Sequence, residues 1–114
     1  MKLEEFYELS GGDFEDVKNR LGSAEMIKKF VQKFALDDSF ERMKNGLCEN
    51  DAKEAFRAAH TLKGVCLNLG FGNLYKPVCE ITELLRAGDL ESAKSVLPEV
   101  EKNLVGLVTL VEKL

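Results

Sequence analysis

The apolar residues in the last quarter of the chain constrain its fold most strongly, because they follow one another at alternating spacings of three and four. Side chains at these spacings lie on one face of an α-helix. Such a seam favours antiparallel packing within a helical bundle over a coiled-coil dimer. Pro98 interrupts the pattern, so we expect either a kink or a short helix followed by a longer one. The residues of the seam are Leu90, Ala93, Leu97, Val100, Leu104, Leu107, Val111 and Leu114.

The rest of the chain has the same helical periodicity and no strand-like alternation. Two short helices are predicted within about residues 1–22, each ended by glycine. Beyond them, two apolar stripes, Ile27–Phe34 and Leu36–Leu47, would lie nearly opposite each other on a single helix. We therefore expect a break near Asp37 and Asp38. The alternative is one unbroken helix that packs on both sides.

Capping residues and short connections define the arrangement of the remaining helices. Asn50 is predicted to cap one helix and Asp89 the last one. Because the connections between helices are short, neighbouring helices should be antiparallel. The sequence thus predicts an all-α fold in a single domain over residues 1–114. It consists of an antiparallel, up-down four-helix bundle over about residues 23–114, with short additional N-terminal helices over about residues 1–22.

Composition and charge exclude several kinds of function. The formal net charge is −4 at pH 7 and the sequence pI is about 5.1, which argues against a general nucleic-acid binder. No segment reaches the roughly 18 apolar residues of a membrane helix, and the acidic start lacks an export signal. Three cysteines without a CxxC pair indicate free thiols in a reducing compartment and make a poor metal site. We therefore expect a cytoplasmic protein with no metal and no cofactor.

The chain contains a single histidine, His60, and a helical wheel places it on the surface. On the helix from about residue 51 to residue 69, the core stripe lies roughly opposite this histidine. The stripe comprises Ala55, Ala58, Ala59, Leu62, Val65, Cys66 and Leu69. The imidazole is therefore predicted to point into solvent rather than to be satisfied within the core.

The predicted face around His60 is cationic, although the chain as a whole is acidic. It contains three bases and no acid, so an anion on or near the imidazole would be favoured there. Lys63 lies one turn away, and Gly64 leaves one flank of the ring open. Phe56 and Leu67 are large and apolar and suggest a docking surface, unless the N-terminal helices cover part of this face. The face comprises Lys53, Phe56, Arg57, Lys63, Gly64, Leu67 and Asn68.

Several stretches of the sequence resemble the histidine-containing phosphotransfer (HPt) domain family. The segment Ala59–Gly64 reads AHTLKG and is followed by Asn68-Leu69-Gly70, similar to the family's AH[ST]LKG motif and to the helix ending after it. The wider resemblance includes an LGGD-like start at Leu9–Asp13, with Ser10 inserted, and the RAGDLE turn at Arg86–Glu91. The family's fold is a helical bundle, in agreement with the expected architecture.

The resemblance implies a role in a multistep phosphorelay. His60 would accept and donate a phosphoryl group, Lys63 would balance its charge, and Gly64 would give access to the ring. The partner would be a response-regulator receiver domain, which supplies the aspartate, the Mg²⁺ and most of the catalysis. A hybrid sensor histidine kinase is a further implied partner. The chain itself would be a monomeric phosphocarrier without autonomous catalysis.

Further residues are expected to dock the partner or to orient the imidazole. The expected docking residues are Phe56, Arg57, Leu67, Asn68 and Phe71. On the next helix, Thr82 or Glu83 is a candidate for orienting the ring. Two other functions stay open at this point. The chain is alternatively the phosphorylated N-terminal domain of a chemotaxis-type histidine kinase, or a helical adaptor that is not phosphorylated.

Overall fold

The computed structural model describes residues 1–114 and contains seven α-helices and no β-strand, which confirms the all-α prediction. The helices are α1 (Leu3–Ser10), α2 (Phe14–Leu21), α3 (Ala24–Phe34), α4 (Ser39–Cys48), α5 (Ala52–Leu69), α6 (Gly72–Arg86) and α7 (Leu90–Val111). None of these helices combines the length and the apolar character that crossing a membrane requires.

Side-chain caps begin four of the helices. Asp13, Ser23, Asp51 and Asp89 each accept a hydrogen bond from a backbone N–H in the first turn of the helix that follows. Asn50, the predicted cap of α5, has a left-handed conformation with a φ of 55° and belongs to the preceding turn. The prediction for this helix start is therefore wrong by one residue, because Asn50 makes the turn and its neighbour makes the cap.

Helices α4 to α7 form a ring in which each helix packs on the next and α7 closes against α4. Turns of only two or three residues join them, so consecutive helices run antiparallel. This arrangement confirms the four-helix bundle. Helix α3 lies outside the ring and packs on α2 and α5. The ring of four helices therefore begins at Ser39 rather than at about residue 23.

The chain breaks between α3 and α4, as the two opposed apolar stripes predicted. Helix α3 ends at Phe34, and the carboxylate of Asp37 accepts a 2.8 Å hydrogen bond from the N–H of Ser39 at the start of α4. Leu36, which the sequence assigned to the second stripe, is 86% exposed. It lies in the break itself, where the helical spacing no longer determines which side a residue faces.

Pro98 does not divide the last helix. Helix α7 runs as one continuous element from Leu90 to Val111, so of the two alternatives at Pro98, the short helix followed by a longer one is wrong. Ala93 and Val100 are both fully buried on either side of the proline. Burial of the apolar seam on both sides holds the helix together across the N–H that proline lacks.

The two N-terminal helices are joined to the bundle at the C-terminal end of α5. The last carbonyl groups of a helix have no partner within it. The hydroxyl of Tyr7 donates a 2.7 Å hydrogen bond to the carbonyl of Leu69, and the guanidinium of Arg20 donates to the carbonyls of Leu67 and Asn68 at 3.2 and 3.0 Å. Burial raises the pKa of the Tyr7 phenol, which keeps it in the donating form.

Glycines let two turns touch through their backbones at this junction. A Cβ atom added to Gly72, at the start of α6, would lie 2.1 Å from the carbonyl oxygen of Gly11. One added to Gly12 would lie 2.1 Å from the carbonyl oxygen of Gly70. Backbone atoms cannot move aside as a flexible side chain does, so this junction needs residues without a side chain.

We expect Gly72→Ala to lower the free energy of unfolding by about 1–3 kcal/mol, because its methyl group would overlap the Gly11 backbone. The matched control is Gly106→Ala on the exposed face of α7, where an added Cβ meets open space. That variant should be more stable by up to about 1 kcal/mol through helix propensity. Urea unfolding followed by circular dichroism measures both. Equal effects of the two substitutions would contradict the close contact.

Candidate functional site

His60 lies near the middle of α5 with its imidazole exposed to solvent, as the helical wheel predicted. The opposite face of α5 is buried through Ala55, Ala58, Ala59, Leu62, Cys66 and Leu69. Cys66, the other nucleophile type on this helix, lies in the core, and burial raises the pKa of its thiol to about 12. Of these two side chains, only that of His60 is accessible from solvent.

An open pocket of about 410 Å³ adjoins the imidazole. The ring of Phe56 lies 5.8 Å from the ring of His60, centroid to centroid, and the guanidinium of Arg86 lies over the Phe56 ring at 4.9 Å. Arg86 belongs to α6, so two helices supply this pocket. Its lining residues are Lys53, Phe56, Arg57, His60, Thr61 and Arg86. Three of these six residues are cations, and none is an acid.

A carboxylate on α6 links Arg86, which lines the pocket at His60, with Lys63, which lies one turn along α5 from the histidine. Glu83 Oε2 accepts a 3.2 Å hydrogen bond from Arg86 Nε, and Glu83 Oε1 lies 4.0 Å from Lys63 Nζ. Glu83 forms no hydrogen bond with His60, so the structure assigns it to the cations instead of to the imidazole. Thr82 is fully buried and donates its hydroxyl to the carbonyl of Val78 at 2.6 Å. The expectation that Thr82 orients the ring is therefore wrong.

Gly64, one turn beyond His60, leaves that flank of the helix empty. It is exposed, and a Cβ atom built on it has no neighbour within 4 Å. Packing therefore does not explain a glycine here, unlike at Gly11, Gly12 or Gly72. What the position offers is space beside the imidazole.

The arrangement can hold an anion beside an exposed imidazole. Lys63 and Arg86 approach from two helices, and nearby bases add to the positive potential. No three His, Cys, Asp or Glu side chains come together in a group that could hold a metal ion. The groups present are suited to charge neutralisation of a phosphoryl group, and phosphoryl transfer depends chiefly on such neutralisation and on positioning.

A protein-family model described as Hpt domain matches residues 25–111. The chain belongs to the Hpt domain family. Hpt domains are phosphocarrier modules of phosphorelays, which they serve by histidine phosphotransfer and by interaction with receiver domains. No curated protein and no solved structure matches this chain significantly. The matched segment covers the bundle together with α3, while α1 and α2 lie before it.

Four of the five expected docking residues of this Hpt domain lie at least partly on its surface. Leu67 is 58% exposed, Arg57 and Asn68 are exposed, and Phe56 is half-buried beneath Arg86. Arg57 pairs with Glu54 at 3.3 Å on the same helix. An apolar side chain as exposed as Leu67 on an otherwise polar helix face is consistent with a contact surface.

Phe71 is not a docking residue, because it is completely buried. Its ring packs against Phe34 at 4.9 Å and Phe6 at 6.2 Å, centroid to centroid. Gly70 ends α5 in a left-handed conformation with a φ of 72°, so Phe71 does not continue the exposed face of that helix. It precedes α6 instead, and the turn directs its side chain into the core.

The largest groove of the domain, about 630 Å³, lies between α2, α3 and α5 rather than at His60. Phe30, Phe34 and Val65 contribute apolar surface, and Arg20 and Lys33 are cations in its lining. Val65, expected in the core, is only half-buried and lines this groove. Asn68 also lines it, so the groove continues the surface that carries Leu67 around α5.

Arg86 is the residue of the site that the sequence did not reveal as a neighbour of His60. A wheel of α5 alone cannot show it, because it belongs to α6. The signal lies in the register of the antiparallel α5–α6 hairpin, in which Lys63 faces Glu83. Three residues back along α5 is His60, and three residues forward along α6 is Arg86. The short turn between the helices sets that register.

The burial of Phe71 and the exposure of Leu67 predict that truncation to alanine lowers the stability strongly at Phe71 and little at Leu67. We expect Phe71→Ala to lower the free energy of unfolding by about 3–5 kcal/mol, because it leaves a cavity among aromatic rings. Leu67→Ala should change it by less than about 0.5 kcal/mol, since the side chain is mainly in solvent. Urea unfolding measures both. A small loss of stability for Phe71→Ala would contradict the burial of this side chain.

Proposed function

We propose that this Hpt domain is a phosphorelay intermediate that accepts and donates a phosphoryl group on His60, in exchange with aspartates of response-regulator receiver domains. The observation that carries the proposal is the exposed imidazole whose pocket is lined by Arg86 of α6, one turn from Lys63 on α5 and beside the empty flank at Gly64. The three free thiols are consistent with a reducing compartment, and we place the relay in the cytoplasm.

The chemistry needs only one nucleophilic nitrogen from this chain. The lone pair of an imidazole nitrogen attacks the phosphorus of an aspartyl phosphate, and the carboxylate leaves with the electrons of the broken P–O bond. The cations around His60 neutralise the transferred group. The receiver domain supplies the aspartate and the Mg²⁺. On this proposal the Hpt domain is a carrier, and the catalytic groups belong to the receiver domain.

The docking surface would surround the imidazole and extend along α5. Leu67 and Phe56 supply apolar contacts, and Arg57 and Asn68 supply polar ones. The groove between α2, α3 and α5 lies at one edge of this surface and is open to an apolar side chain of the partner. Docking over this area would exclude water from the phosphoryl group during transfer.

Phosphotransfer profiling tests the proposal directly. The receiver domains of the source organism are phosphorylated with acetyl phosphate and Mg²⁺, freed of the donor and mixed with this chain. We expect transfer from at least one receiver to the wild type and none to His60→Gln, because glutamine keeps polarity but lacks the ring nitrogen. Lys63→Gln should slow transfer about tenfold or more through lost charge neutralisation, with its fold intact. Phosphorylated His60→Gln would contradict the proposal.

Gly64→Ala separates the space beside the ring from the stability of the helix. We expect it to raise the free energy of unfolding by up to about 1 kcal/mol, since alanine favours helix and meets no neighbour. It should nevertheless slow transfer to His60, because the methyl group narrows the approach to the ring. Gly106→Ala is the matched control, which should gain stability without losing rate. Unchanged transfer by Gly64→Ala would remove the proposed role of this glycine.

A further inference from the structure

Glu83 contacts both cations of the site, although attack by the imidazole does not require it. Glu83 lies on α6 between Arg86, which its carboxylate binds at 3.2 Å, and Lys63, which it approaches to 4.0 Å. Its carboxylate carries the same sign of charge as a phosphoryl group and binds the same two cations. Before His60 is phosphorylated, Glu83 therefore occupies the charge-neutralising groups of the site.

We propose that Glu83 is a positioning residue that sets the equilibrium of phosphoryl transfer, lowering the share of the phosphoryl group held on His60. This inference rests on the proposed function of the site. A carboxylate that competes for Lys63 and Arg86, and that repels the dianion, destabilises the phosphorylated state relative to the free one. The domain thereby donates the phosphoryl group more readily and retains a smaller share of it than it would without Glu83.

The geometry allows this competition. Glu83 is well exposed, and its contact with Lys63 is at the outer limit of an ion pair, so the pair is weak and exchanges readily. Arg86 is fixed from a second direction by Phe56, over whose ring its guanidinium lies. The arginine therefore stays beside the histidine when the carboxylate yields. Both cations remain available once a phosphoryl group arrives.

The bonds formed and broken in the transfer show that Glu83 acts on its equilibrium. One P–N bond forms on an imidazole nitrogen as one P–O bond of the aspartyl phosphate breaks, and the aspartate carboxylate retains the electron pair. No oxidant, reductant or additional reactant takes part. Glu83 forms and breaks no bond in this step. Its charge changes the free energy of the phosphorylated Hpt domain relative to that of the free one. The equilibrium constant of the transfer therefore changes, whether or not the rates change as well.

Glu83→Gln and the matched Glu80→Gln variant separate this role from a general charge effect. Glu80 is an exposed acid on α6 that takes part in no ion pair, so both variants remove one negative charge from the same helix. A receiver domain identified by the profiling above, at equal concentration in every sample, is incubated to equilibrium with each variant. The measured quantity is the ratio of phosphohistidine to phosphoaspartate, read from phosphoryl label in rapidly quenched gels.

We expect Glu83→Gln to raise this ratio about three- to tenfold at low salt, and Glu80→Gln to change it less than twofold. The effect of Glu83→Gln should shrink in a Lys63→Gln background, because one of the contested cations is then gone. Equal changes in forward and reverse rates with a constant ratio would overturn the inference, as would equal shifts by both variants. Absence of label on wild-type His60 would instead overturn the proposed function.

Discussion

The carbonyl groups at the end of α5 are the constraint on which the rest of the arrangement depends. A helix end that lies against other elements needs hydrogen-bond donors. Here Tyr7 and Arg20 supply them from the two N-terminal helices, and Gly70 turns the chain so that α6 follows at once. These contacts hold the short helices on the bundle and fix the α5–α6 turn. The turn determines which residues of α6 lie beside His60.

The sequence predicted the bundle, most of the helices and which face of α5 is exposed, but not the register between neighbouring helices. The spacing of apolar residues and the caps gave the helices, the break near Asp37 and the exposure of His60, since each follows from local geometry. Phe71 was misplaced because a glycine turn ended the helical face one residue before it. Thr82 lies on the buried face of α6, one turn from Val78, which a wheel of that helix shows. The position of Arg86 depended on the register between α5 and α6, which a wheel of one helix does not contain.

The site combines an imidazole that the fold leaves exposed with charges that neighbouring side chains only partly neutralise. A carrier of a phosphoryl group must bind it well enough to accept it and weakly enough to release it. On the proposed function, Lys63 and Arg86 would serve the first requirement, whereas the carboxylate of Glu83, which pairs with both, would oppose them from the same helix as the arginine. Because all three side chains lie on the α5–α6 hairpin, one rigid unit contains the opposing charges. Small changes on that hairpin therefore adjust the balance without disturbing the core.

The cations beside His60 also affect the encounter that precedes any contact. The chain carries a net charge of −4, yet Lys53, Arg57 and Arg86 line the pocket at the imidazole. On the proposed function, these bases would place positive charge on the face that a partner contacts. An acidic site on an approaching partner would be attracted toward that face while the two molecules are still apart. Ionic strength then governs how often collisions are productive, independently of how tightly the partners hold each other afterwards.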